Sequence, residues 1–89
     1  MNEDEILASV GYVKAARNRL KVLKVLYKPQ TPTEVGKSTG LGLNLASRAL
    51  ANLSKEGLVR CVNPDDKVGK IYKRTEKGEN VLEHFKERL

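Results

Sequence analysis

Eighty-nine residues are enough for one small domain around a single modest core, and too few for two. Seventeen lysines and arginines against eleven acids leave a net charge of +6, which favours a polyanion or an acidic surface as partner. A single cysteine, Cys61, excludes an internal disulfide, no apolar run approaches the length of a membrane span, and the acidic amino terminus does not look like a signal peptide, so the expected setting is reducing and cytoplasmic.

The acids gather at the two ends, with Glu3, Asp4 and Glu5 at one and Glu79, Glu83 and Glu87 at the other. The middle of the chain is therefore more basic than the average. From about Asp4 to Lys28 the spacing predicts helix, with Val13, Ala16, Leu20, Leu23 and Tyr27 on one stripe that Ile6 and Val10 extend. Gly11 is the residue that would interrupt it, which leaves one helix or two. Beside the stripe, Lys14, Arg17, Lys21, Lys24 and Lys28 repeat at steps of three and four. Such a line is either a solvated helix face or a row of phosphate contacts.

Pro29 and Pro32 bracket a short connection. Thr31, Pro32 and Glu34 then supply an N-cap, a first helical residue and the end of a Thr-x-x-Glu capping box. The helix they open should close near Thr39 and Gly40. A few residues later the stretch GLGLNLASRALANLSKEGLV, Gly40 to Val59, predicts a second helix, capped at its start by Gly42 or Asn44 and stopped by Gly57. Ala46, Ala49, Leu50 and Leu53 form its buried face, while Asn44, Ser47, Arg48, Ala51 and Asn52 form the other. No acid lies between Glu34 and Glu56, so little on this segment repels a phosphate. Two helices joined by a short glycine-bearing turn are the arrangement of a helix-turn-helix.

Leu58 to Val62 predict a strand, Asn63 to Asp66 a turn with Gly69 closing the loop, and Lys70 to Arg74 a returning strand. Lys67, Lys70, Lys73 and Arg74 make this hairpin basic, and Asp65 and Asp66 partly cancel the charge at its tip. Thr75 caps a final helix whose apolar stripe is Val81, Leu82, Phe85 and Leu89. Its other face carries Glu79, Glu83, Lys86 and Glu87, too acidic to lie on DNA.

In this order and spacing the chain from about Tyr12 onward resembles a winged helix-turn-helix, and is similar to small archaeal and bacterial transcription regulators of the MarR and ArsR type. The best-matched pieces are SRALANLSKEGLV, Ser47 to Val59, and YKRTEKG, Tyr72 to Gly78. The pattern of a small residue where the helices cross, Gly36, and a glycine four residues later, Gly40, fits as well. The resemblance implies a mainly α domain with a small β-hairpin, spanning residues 1–89. It implies that the start of the second helix enters the major groove of double-stranded DNA and that the hairpin acts as a wing on the backbone. Carried over by position, Leu43, Asn44, Ser47 and Arg48 would face the groove and Lys67 and Lys70 would supply the wing contacts. Arginine can pair bidentately with guanine, asparagine with adenine, and serine with a base edge. Asn44 remains equally suited to capping, and Leu43 either touches a thymine methyl or covers the helix start.

Two departures stand out. Arg74 occupies a place that is often apolar in these families, and the cysteines and histidines of the metal-sensing members are reduced to Cys61 and His84. Two ligands cannot close a structural metal site in one chain, so neither metal nor other cofactor is expected. No catalytic constellation stands out either, and the expectation is a binding protein rather than an enzyme. A homodimer would double the short site one helix can read, with Ile6, Leu7, Val10, Phe85 and Leu89 as its apolar surface. The other functions open to such a domain are a protein-interaction module of a larger assembly and an architectural DNA-coating protein without sequence preference.

Overall fold

A computed structural model describes residues 2–86 and shows five helices and one two-stranded antiparallel sheet. Glu87 and Leu89, and the roles expected for them, lie outside the described residues. The chain opens with α1, Glu3–Lys14, which Asn2 caps by accepting the Glu5 N–H at 2.7 Å. Glu3, Asp4 and Glu5 occupy the first turn and Lys14 the last, the arrangement the helix dipole favours.

Gly11 does not interrupt the helix. The break falls at Ala15 and Ala16, where Ala16 is extended at φ −142°, and α2 follows as Arg17–Val25. Two alanines carry no helix-stopping signal, so a tertiary contact fixes the corner. Arg19 reaches back from α2, stacks its guanidinium 3.8 Å above the Tyr12 ring and donates to the Tyr12 carbonyl at 2.7 Å. One of the carbonyls orphaned at the end of α1 thus gains a charged donor. The break also changes which residues face inward. Val22, Leu23 and Leu26 are buried with Val13, whereas Tyr27, expected on the apolar stripe, is 72% exposed. The basic line is divided the same way, with Lys14 on α1, Arg17, Lys21 and Lys24 on α2, and Lys28 beyond it, all exposed.

Gln30 is the main polar tie of the interior. Its backbone pairs with Tyr72, adding a single bridge to the sheet edge. Its buried side chain donates to the Val25 carbonyl and accepts from the Ser38 hydroxyl, so the end of α2, the next helix and the returning strand meet on one residue. That next helix, α3, Pro32–Thr39, has the expected capping box. The Thr31 hydroxyl accepts the Glu34 N–H at 3.2 Å, and the Glu34 carboxylate accepts the Thr31 N–H at 2.9 Å.

The N–H of Thr31 and then its hydroxyl hold the Glu34 carboxyl below the usual carboxylate range, with Lys28 and Lys37 adding to the effect. A depressed folded pKa contributes stability that is present above the unfolded pKa and is lost as pH falls through the folded one. Glu34→Gln, which removes the charge and keeps the Thr31 cap, is therefore expected to lower stability near neutral pH. Urea melts of both proteins should show the gap narrowing as the solution is acidified, and an unchanged gap would refute the charged cap.

Gly40 closes α3 in the left-handed conformation, φ 76°, as expected. α4 is Gly42–Lys55, and it opens on backbone geometry rather than on a side-chain cap. Gly42 has φ 82°, while Asn44 lies inside the first turn and caps nothing. α3 and α4 touch at Gly36, where an added Cβ would stand 2.8 Å from the Gly42 carbonyl. Ala46, Ala49, Leu50 and Leu53 are buried as the spacing predicts.

Gly57, at φ 78°, ends α4 and turns the chain into β1, Val59–Cys61, which pairs with β2, Tyr72–Arg74, in the register Val59↔Arg74, Arg60↔Lys73 and Cys61↔Tyr72. The strands are shorter than the predicted five residues because Asn63 takes over the pairing. Its side chain accepts the Ile71 N–H and donates to the Asp66 carboxylate and the Gly69 carbonyl, holding the loop shut. Thr75 caps α5, Glu76–Lys86, by accepting the Gly78 N–H at 3.0 Å, and also donates to the Gly57 carbonyl.

Ile6, Val10 and Val13 of α1 join Val81 and Leu82 of α5 in one core with the α2, α3, α4 and β1 residues, and Phe85 packs against it. Much of the apolar surface assigned to a dimer is therefore consumed inside one chain, and Leu7 is the exposed remainder among the described residues. No helix among these residues is long and apolar enough to cross a membrane.

Candidate nucleic-acid interface

α4 presents an exposed ridge of Asn44, Ser47, Arg48 and Ala51, set by the same periodicity that buries Ala46, Ala49 and Leu50. A depression runs along each flank of this ridge. On one side lies a groove of about 470 Å³, walled by Leu43, Asn44 and Ser47 of α4, by Thr31, Pro32 and Thr33 at the start of α3, and by Lys67, Val68, Gly69 and Lys70 of the hairpin. Five of the six residues singled out from the sequence meet here: Leu43, Asn44, Ser47, Lys67 and Lys70.

Arg48 does not join them. It lies across the ridge in a smaller cleft of about 140 Å³, with Ala16, Asn18 and Arg19 from the start of α2 and with Leu45, Ala49 and Asn52 of its own helix. Arg19 is spent mainly on the α1–α2 corner, although its buried Nε has no hydrogen-bond partner. Arg48, Asn18 and Asn52 are the polar groups that this cleft presents together with it.

The charge lining the groove is positive. Its walls carry two lysines and no carboxylate. Asp66, one of the acids expected to offset the hairpin's charge, is turned to the Asn63 amide at 2.9 Å. Thr33 is the second residue of α3, where a backbone N–H has no partner inside the helix, and its N–H and hydroxyl are donors at the groove edge. Asn44 and Ser47 add side-chain donors and acceptors opposite them.

Five groove residues, Thr31, Pro32, Thr33, Val68 and Gly69, were not singled out as site residues from the sequence. Thr31 and Pro32 read there only as cap and first helical residue, because nothing local tells which way that helix end points. Val68 falls inside the loop expected to close at Gly69, and it is 88% exposed at the hairpin tip between Lys67 and Gly69. An apolar residue between a lysine and a glycine in a polar turn was the available signal. Cys61 is half-buried at the loop end of β1 and donates to the Asn63 side chain at 3.5 Å. Among the described residues no group of three or more His, Cys, Asp or Glu could hold a metal ion.

No protein-family model, curated protein or solved structure matches the chain.

Proposed function

We propose that this chain is a winged helix-turn-helix regulator of transcription that binds double-stranded DNA with sequence preference in the cytoplasm. α4 is its recognition helix, seated in the major groove, and the β1–β2 hairpin is a wing on the backbone. The observation that carries this reading is the groove joining the first turns of α4 to Lys67 and Lys70 without an acid in its walls. The two depressions beside the ridge then receive the two phosphate strands that border a major groove. Lys67, Lys70 and the start of α3 serve one strand, and Arg48 with Asn18 serves the other. Phosphate contacts of this kind position the helix, while Asn44 and Ser47 on the ridge read base edges.

Selection of bound duplexes from a random pool at about 0.15 M salt tests the proposal. Enrichment of one short motif is expected. A palindromic motif means two copies bind together, and a single half-site means that one copy suffices. Equal recovery of unrelated duplexes would replace sequence reading by architectural coating. A second reading rests on the exposed Leu43, Leu45 and Val68, which suit a protein partner as well as a thymine methyl. It predicts no duplex recovery from the pool.

A further inference from the structure

The returning strand carries an arginine that the DNA reading does not use. Arg74 is only 11% exposed in its side chain, in a place where an apolar residue would cost nothing to bury. It lines a cleft of about 280 Å³ between the end of α2, β2 and α5, together with Tyr27, Lys28, Lys73 and Glu79. No residue of this cleft belongs to the groove beside α4.

The guanidinium is incompletely satisfied. Nη1 donates to the Leu23 carbonyl at 3.3 Å, a long contact. Nε lies 3.0 Å from Glu79 Oε1, an ion-pair distance, but the direction is wrong for a hydrogen bond and the buried Nε is left without a partner. Glu79 is itself 56% exposed, so water screens the pair and the carboxylate is easily displaced. Lys28 and Lys73 have no carboxylate within ion-pair distance among the described residues, and Glu34 feels Lys28 only from farther away. Three cations thus share a cleft with one weakly held carboxylate.

Clamping α2 to the strand would account for the Leu23 contact alone. It explains neither the open volume of the cleft nor the two lysines that line it. We propose that this cleft binds a small anion bearing a carboxylate or phosphate group. The anion takes the place of Glu79 at the Arg74 fork and draws on Lys28 and Lys73 for charge. The ligand is a freely diffusing small molecule, and the proposal stands or falls independently of DNA binding.

Inorganic phosphate and acetate, titrated against the full chain at fixed ionic strength, are the probes, and the Arg74 Nε–H resonance is the readout. A saturable shift is expected with these anions and not with chloride. Arg74→Gln would delete the reporting resonance and threaten the fold, so Glu79→Gln is the decisive variant. Removing the competing carboxylate should tighten phosphate binding about two- to fivefold, the scale of one partly exposed charge interaction. Lys28→Gln with Lys73→Gln should weaken it by at least as much. An unaltered affinity in Glu79→Gln, a response matched by chloride, or shifts confined to the Lys67 and Lys70 groove would overturn the proposal. So would a response of Arg74 to duplex DNA but not to free phosphate, which would make the cleft part of the nucleic-acid footprint.

Discussion

Gly78→Ala should destabilise the protein by about 3 kcal/mol or more, the upper range for forcing atoms into a packed interior. Helix propensity alone gives the opposite sign, because alanine in place of a helical glycine is normally favourable by about 1 kcal/mol. The steric effect wins because an added Cβ would overlap the Leu58 carbonyl oxygen and stand 3.1 Å from its carbon, with the Leu23 side chain 3.5 Å away on another side. That oxygen cannot easily retreat. It accepts the Thr75 N–H at 3.0 Å, and the Leu58 N–H is tied to the Leu53 carbonyl at 2.9 Å. Relief therefore requires α5 to move away from the turn that joins α4 to β1. For a domain of this size, about 3 kcal/mol corresponds to a fall in Tm of roughly 12–24 °C. Gly11→Ala is the internal control. Gly11 is also helical, but it is exposed and has nothing within 4 Å of its Cβ position, so this change should raise Tm. Thermal melts of the two variants that moved in the same direction would contradict the close approach at Gly78.

The contrast between the two glycines shows where sequence reading succeeds and where it stops. Features set by neighbours a few residues apart were legible. The Thr31–Glu34 capping box, the left-handed turn at Gly40, the buried face of α4 and the hairpin all follow from local periodicity and turn chemistry. Gly36 could be read as a crossing point because the helix-turn-helix pattern is itself local. Features set by distant partners were not legible. The α1–α2 break depends on Arg19 finding Tyr12, and nothing about two alanines announces it. Gln30 looks like a linker residue until Val25, Ser38 and Tyr72 converge on it. In the candidate interface, the sequence placed Arg48 with Asn44 and Ser47, since all three share a helical face. It could not show that α2 and the hairpin come to opposite flanks of that face and divide its residues between two clefts.

That division gives the second large effect, on DNA binding. Lys67→Gln with Lys70→Gln should weaken binding to every duplex alike and reduce the slope of log affinity against log salt by about 1.8, at ~0.9 for each phosphate no longer neutralised. The preferred motif should survive, because phosphate contacts carry no sequence information. Arg48→Gln separates two roles for the residue. Paired bidentately with a guanine, its loss would relax preference at one position by about 1–3 kcal/mol. Placed beside Asn18 and Arg19 on the far flank of the ridge, it is better situated for the second phosphate strand. The expected result is therefore a further fall of about 0.9 in slope with the motif unchanged. Asn44→Ala and Ser47→Ala should behave in the opposite way, altering the motif with little change in slope, because their side chains carry no charge. If Lys67 and Lys70 could be neutralised without any change in salt dependence, the groove that unites the hairpin with α4 would not be a DNA-binding surface, whatever the ridge itself contacts.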